Sequence, residues 1–141
     1  MQRDNDIKRI IAYFKARDEA SALYLFGSAA KQTQYAGSDV DIAILVDEKK
    51  LRGKTMDVLR HDYYAASPRL SLRIVDIVIL NTAPPYLKHR IVKIGLLLFD
   101  KKRSLRVKFI ARAILEYLDY KPIEDICLKA VSGRFRRGAV G

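Results

Sequence analysis

Apolar residues recur along the chain at two spacings, and the switches between them predict the order of elements. Ile7, Ile10, Ile11 and Phe14 share one helical face, which predicts an amphipathic helix over about residues 5–18. Ala22-Leu23-Tyr24-Leu25-Phe26 is a short apolar run closed by Gly27, the mark of a buried strand entering a turn. Ser28, Ala29, Ala30 and Lys31 open a short predicted helix that ends at Gly37-Ser38. The run from Val40 to Val46 predicts a second strand. Met56, Leu59 and Tyr63 fall on one face of a helix over 54–66, with Pro68 just beyond it. The stretch from Leu70 to Leu80, rich in Ile and Val, predicts a third strand. Thr82 ahead of Pro84-Pro85 predicts a helix start, with Leu87, Ile91 and Ile94 turned inward and Gly95 as the stop. Leu96-Leu97-Leu98-Phe99 follows as a last strand or apolar cap. Ser104 is the expected N-cap of a long helix carrying Leu105, Phe109, Ala113 and Tyr117 in steps of four. Beyond Pro122 a further helix is expected to about Ser132, then a frayed basic tail.

Alternating helices and strands predict an α/β or α+β class: a small mixed β-sheet flanked by helices, with a C-terminal helical extension. No repeat or linker interrupts the pattern. Residues 1–141 therefore read as a single domain, with a core over about 5–100, the extension over about 101–133 and the tail over 134–141. With 141 residues, half of them hydrophobic, the chain has enough apolar surface for one packed core, which excludes wholesale disorder. A single cysteine, Cys127, excludes an internal disulfide, and with only two histidines a structural zinc site is not expected. No apolar run approaches the ~20 residues that span a bilayer. Met1 to Asp6 is too polar for a secretory leader, so no membrane association and a cytoplasmic location are expected.

Charge changes the picture at one end. The net charge is +11, and residues 101–141 alone carry 11 basic and 4 acidic side chains, a net of +7. Lys101-Lys102-Arg103, Arg106 and Lys108, joined with Arg134, Arg136 and Arg137, form a candidate surface for an anionic partner. Gly53-Lys54-Thr55 is not a phosphate-binding P-loop, because position 48 is Glu where that motif needs Gly; it reads as a helix start. His61 and His89 read as solvated, Cys127 as core, and the eight tyrosines as packing residues.

The candidate chemistry lies elsewhere. Gly27-Ser28 is followed ten residues later by Asp39-Val40-Asp41 at a strand start, where alternation puts both carboxylates on one face. Adjacent carboxylates repel, and a cation between them relieves the repulsion. Gly27 permits close backbone approach, and the free N–H groups of a helix start suit a phosphate. Asp76, within Leu72-Arg73-Ile74-Val75-Asp76-Ile77-Val78-Ile79, is an acidic residue in an apolar strand, costly unless paired or metal-bound. Three carboxylates on two strands beside a phosphate-binding turn predict a Mg²⁺–nucleotide site.

The segment GSAAKQTQYAGSDVDIAILV resembles the DNA polymerase β-like nucleotidyltransferases: Gly-Ser, ten residues, Asp-x-Asp, and a third Asp on a later strand. Length and layout are most similar to the minimal nucleotidyltransferases, the MNT antitoxins paired with HEPN-domain toxins, over about Ile7 to Gly133. The resemblance implies that Asp39 and Asp41 hold two Mg²⁺ ions and that Asp76 completes the set and activates an acceptor hydroxyl. It implies that Gly27 and Ser28 hold the β- and γ-phosphates of ATP, with Lys31 and Ser38 also on the nucleotide. Many members have Arg then Gly where this chain has Lys31 and Gln32. The implied activity is transfer of AMP to a tyrosine of a HEPN ribonuclease toxin, with nucleic acid not the primary partner. A small-molecule nucleotidyltransferase and an antitoxin acting by binding alone remain the alternatives.

Overall fold

The computed structural model describes the backbone of residues 2–27 and 39–140, and side chains mainly over 5–27 and 39–119. Helix α1 (Gln2–Ala16) leads into strand β1 (Ala20–Phe26), then β2 (Val40–Val46), α2 (Met56–Leu70), β3 (Val75–Ile79), α3 (Pro85–Ile94), β4 (Leu96–Asp100) and α4 (Arg103–Val140). The sheet order is β3-β2-β1-β4. β1 runs antiparallel to both β2 and β4, whereas β2 and β3 are parallel and joined by α2. The class is α+β with a mixed sheet, as the alternating pattern predicts.

The sheet is covered on both faces. Leu23, Leu25, Val40, Ile42, Ile44, Val75, Ile77 and Ile79 pack against Ile10 and Phe14 of α1 and Leu59 and Tyr63 of α2. The rings of Phe14 and Tyr63 meet edge-on at 4.9 Å. Ala22, Tyr24, Ala43 and Leu45 face the other way, onto Ile91 and Leu87 of α3 and Leu105 and Phe109 of α4. Because β2 beyond Asp41 is buried on both faces, its sequence shows an apolar run rather than alternation.

Several boundaries differ from expectation for local reasons. α2 continues through Pro68 to Leu70. Pro68 has no N–H to give to the carbonyl of Tyr64, and the Ser67 hydroxyl donates to that carbonyl instead at 2.8 Å. Ser67→Ala therefore leaves a partly buried carbonyl unpaired and should lower stability by about 1 kcal/mol in denaturant titration, with no loss of helix content. Thr55 caps α2 by accepting from Val58 N–H at 3.2 Å, as a helix start at Gly53-Lys54-Thr55 requires. β3 is shorter than predicted, because residues 71–74 form a turn rather than strand. Ile94 is exposed rather than inward. α4 begins at Arg103, with Lys102 rather than Ser104 as its cap: the Lys102 carbonyl accepts from Leu105 and Arg106 N–H. α4 is one continuous helix through Pro122 to Val140, so the residues after Gly133 are helical rather than frayed.

The turn at 71–74 is anchored from below. Asp6, fully buried in α1, accepts from the Ser71 hydroxyl at 3.0 Å, pairs with Arg9 and lies 3.5 Å from Arg73. Arg9 also donates to the Leu70 carbonyl at 3.0 Å. Val40 N–H donates to Ile74 O at 2.8 Å, which sets the register of β2 against β3. At the other end of β2, the Asn81 side chain accepts from Val46 N–H and donates to Val46 O, each at 2.9 Å. No helix of the described residues is long and apolar enough to cross a membrane.

Candidate active site

The parallel register of β2 and β3 pairs Asp41 directly with Asp76. Both side chains stand on the sheet face covered farther along by α3 and α4, at the open end of the strands. Asp39 sits one residue before β2, exposed and close enough for its charge to reach Asp41. Burial, then the charges of Asp76 and Asp39, then a hydrogen bond with Asp76 raise the Asp41 carboxyl above the usual carboxylate range. The parallel pairing thus brings Asp76 to Asp41 across 35 positions of sequence, with the charge of Asp39 reaching Asp41 from its own strand start.

Asp76 is corrected in one respect. It is exposed, and the flanking Val75 and Ile77 alone point into the core. The cost of a buried charge therefore does not arise, and what marks Asp76 is its contact with a second carboxylate.

Gly27 follows β1 at φ +72°, the left-handed region that favours glycine. A Cβ built there would collide with a carboxylate oxygen of Asp41 and lie 3.1 Å from its Cγ. The β1–β2 register places Phe26 opposite Asp41, which brings Gly27, the next residue, against that carboxylate. The glycine is thus required by the acid pair itself, a role that motif spacing alone does not reveal. Ser28, Lys31 and Ser38 lie outside the described residues.

Among the described residues, no three acidic, imidazole or thiol groups already converge tightly enough to enclose an ion. The donors present are hard carboxylate oxygens, two of them in hydrogen-bond contact, which is the chemistry that Mg²⁺ takes. A divalent cation bound at Asp41 and Asp76 would relieve the repulsion that raises Asp41.

Other predicted residues are elsewhere. Arg106 donates to Asp100 at 2.6 Å and hydrogen-bonds with Tyr24, and the Lys101 ammonium donates to the Arg17 carbonyl at 2.7 Å. Both contacts hold this corner of the fold together, and of the first basic cluster Arg106 is half-buried while Lys101, Lys102, Arg103 and Lys108 are exposed. This cluster begins where β4 pairs with the start of β1, at the opposite end of the sheet from Asp41. The side chains of Cys127, Arg134, Arg136 and Arg137 are outside those described. His89 is half-buried and stacks on Tyr117 at 3.8 Å, joining α3 to α4 rather than facing solvent. A cavity of about 360 Å³ between β2, α3 and α4 lies beside Leu45 and Asp47, away from the carboxylates. The feature that sequence reading missed is the exposure of Leu72 and Ile74 beside Asp76. Arg73 between them, breaking the apolar run, was the available signal.

A search of solved structures finds the same fold in toxin–antitoxin complexes. A chain of the complex of tri-AMPylated Shewanella oneidensis HEPN toxin with MNT antitoxin is 24% identical, with a TM-score of 0.67, over 94% of this chain and 99% of that one. A toxin–antitoxin complex with AMP-PNP gives 24% identity and a TM-score of 0.68 over the same shares. The MntA–HepT toxin–antitoxin complex gives 23% and 0.65, over 93% of this chain and 99% of that one. At these identities the likeness is one of fold. No curated protein matches. The model of the family described as polymerase beta, nucleotidyltransferase matches residues 8–104. That match takes in all four strands together with Gly27 and the three carboxylates, and the chain belongs to the polymerase beta family of nucleotidyltransferases.

Proposed function

We propose that the chain is a Mg²⁺-dependent antitoxin that transfers AMP from ATP to a tyrosine of a HEPN ribonuclease toxin and so neutralises it. The observation that carries the reading is the Asp41–Asp76 pair, with the charge of Asp39 beside it. Family membership supports the reaction class, and the tri-AMPylated HEPN toxin and the AMP-PNP complex among the structural neighbours support the group transferred and the partner. The same reading makes the chain one cytoplasmic domain, with the sheet as catalytic core and α4 as the extension.

Asp39 and Asp41 would hold the metal, with Asp76 alongside. Mg²⁺, when bound, supplies positive charge against the attacking and leaving oxygens of an in-line displacement. The acceptor oxygen bonds to the α-phosphorus, the bond from that phosphorus to the bridging oxygen breaks, and pyrophosphate leaves. The exposed Asp76 carboxylate takes the hydroxyl proton. Gly27 lets the backbone close over Asp41, and Ser28, Lys31 and Ser38 are proposed to grip the phosphates.

Mass spectrometry of a HEPN partner incubated with the chain, ATP and Mg²⁺ tests this. One or more AMP adducts on a tyrosine are expected, with loss of RNA cleavage by the modified partner. Asp76→Ala should give no adduct at matched times. Neutralisation without an adduct would mean inhibition by binding alone, and labelling of a small molecule in preference to protein would favour an antibiotic-type transferase.

A further inference from the structure

The inference builds on the proposed transfer to a polypeptide hydroxyl and concerns how that acceptor is held. Exposure alternates along the approach to β3: Leu72, Ile74 and Asp76 face outward, while Ser71 and Val75 are buried and Arg73 nearly so. Leu72 is 83% exposed and Ile74 68%, large apolar side chains standing in water within four residues of a reacting carboxylate. Isolated exposed leucines are ordinary, but two in succession beside a catalytic group form a ledge. The segment is also fixed in place, because Asp6 holds Ser71 and Arg73 from beneath and Ile74 O is bonded to Val40 N–H.

On the other side of Asp76 lies Val78, which lines a cavity of about 230 Å³ with Met56, Arg60, Thr82 and Leu87. β3 is an edge strand, and its outer backbone is already closed at one point. The Tyr64 hydroxyl accepts from Ile77 N–H at 2.9 Å and donates to Ile77 O at 3.3 Å. A strand adding to this edge would meet that hydroxyl, so a docking chain is read by side chains and not by extension of the sheet.

We propose that Leu72 and Ile74 on one side of Asp76, and the cavity beside Val78 on the other, form the track on which an extended segment of the acceptor protein lies. A segment that engages both features is held across Asp76, with its hydroxyl at the carboxylate. The track runs continuously from the reacting group, which marks the substrate polypeptide as its occupant. Arg60 and Asp57 line the cavity together, so it offers a docking chain one charge of each sign beside the apolar contacts. A second copy of this chain carries the same +11 and is repelled.

The test is steady-state AMP transfer from ATP and Mg²⁺ to a HEPN-domain protein that the wild-type chain labels, comparing wild type with Leu72→Ser/Ile74→Ser. Both side chains are exposed, so the melting temperature and AMP-PNP binding should be unchanged. KM for the protein acceptor should rise about tenfold or more with kcat retained, and Leu72→Met/Ile74→Val should restore it. An unchanged KM, or a fall in kcat alone, overturns the track. So does a wild-type dimer that the serine variant disperses, since a second copy then covers the ledge. Wild type that labels no polypeptide overturns the functional reading and this inference with it; wild type that labels the partner with the same KM as the serine variant overturns only this one.

Discussion

Asp41→Asn should slow nucleotidyl transfer by about 10³-fold or more while the metal-free protein melts no lower than wild type. The loss follows from removing the central carboxylate of the cluster, the one in register with Asp76 and within reach of the Asp39 charge. The gain or neutrality in stability follows from the same geometry. Burial and the two neighbouring acids raise the Asp41 carboxyl, so its protonated form is favoured by the fold and its ionised form is not. Stability from that protonated group is fully present below the unfolded-state value near pH 4 and is lost as pH rises through the higher folded value. With chelator present, wild type should therefore lose melting temperature relative to Asp41→Asn as pH rises above about 4, and Mg²⁺ should close the gap. Calorimetry at two pH values, with and without Mg²⁺, gives the sign directly. A variant that melts lower than wild type at pH 7 in chelator would show that Asp41 is held by attraction and not by relieved repulsion.

Gly27→Ala should fail for two reasons that a control separates. The residue has φ +72°, where an alanine costs about 1–2 kcal/mol, and its Cβ would occupy the place of an Asp41 carboxylate oxygen. Gly53 has φ +85° with nothing near its Cβ position, so Gly53→Ala carries the backbone cost without the collision. Both variants should lose comparable stability in urea. Only Gly27→Ala should also lose activity, by about 10²-fold or more, because it displaces a carboxylate from its working position. Equal activity of the two alanine variants would reduce Gly27 to a turn residue.

The apolar spacing by itself was enough for the class and for most elements. β2 falls on the predicted run from Val40 to Val46 and α3 ends at Gly95 as its stop signal requires. These elements are written locally, in runs of one period bounded by Pro or Gly, and burial on either sheet face only reinforces them. Asp39 and Asp41 stood out as candidates by their spacing from Gly27-Ser28, whereas the argument that singled out Asp76, the cost of a buried charge, does not hold for a residue that is exposed. Pro68 and Pro122 misled for a local reason of the opposite kind: a proline removes one hydrogen bond without ending the helix, and at Pro68 the Ser67 hydroxyl compensates for the loss.

What tertiary structure alone decided is which of those groups meet. Pairing of Asp41 with Asp76 depends on a parallel register set across α2, and no local pattern encodes the register of strands so far apart. The exposure of Asp76 follows from its place on the sheet face short of the cover that begins at Val78. Arg106 and Lys101 read as free surface charge until folding brought Asp100, Tyr24 and the Arg17 carbonyl to them. Gly27 shows the division most plainly. Its place in a turn is written beside it in the chain, but its necessity comes from an aspartate fourteen residues on, carried against it by the antiparallel pairing of β1 and β2.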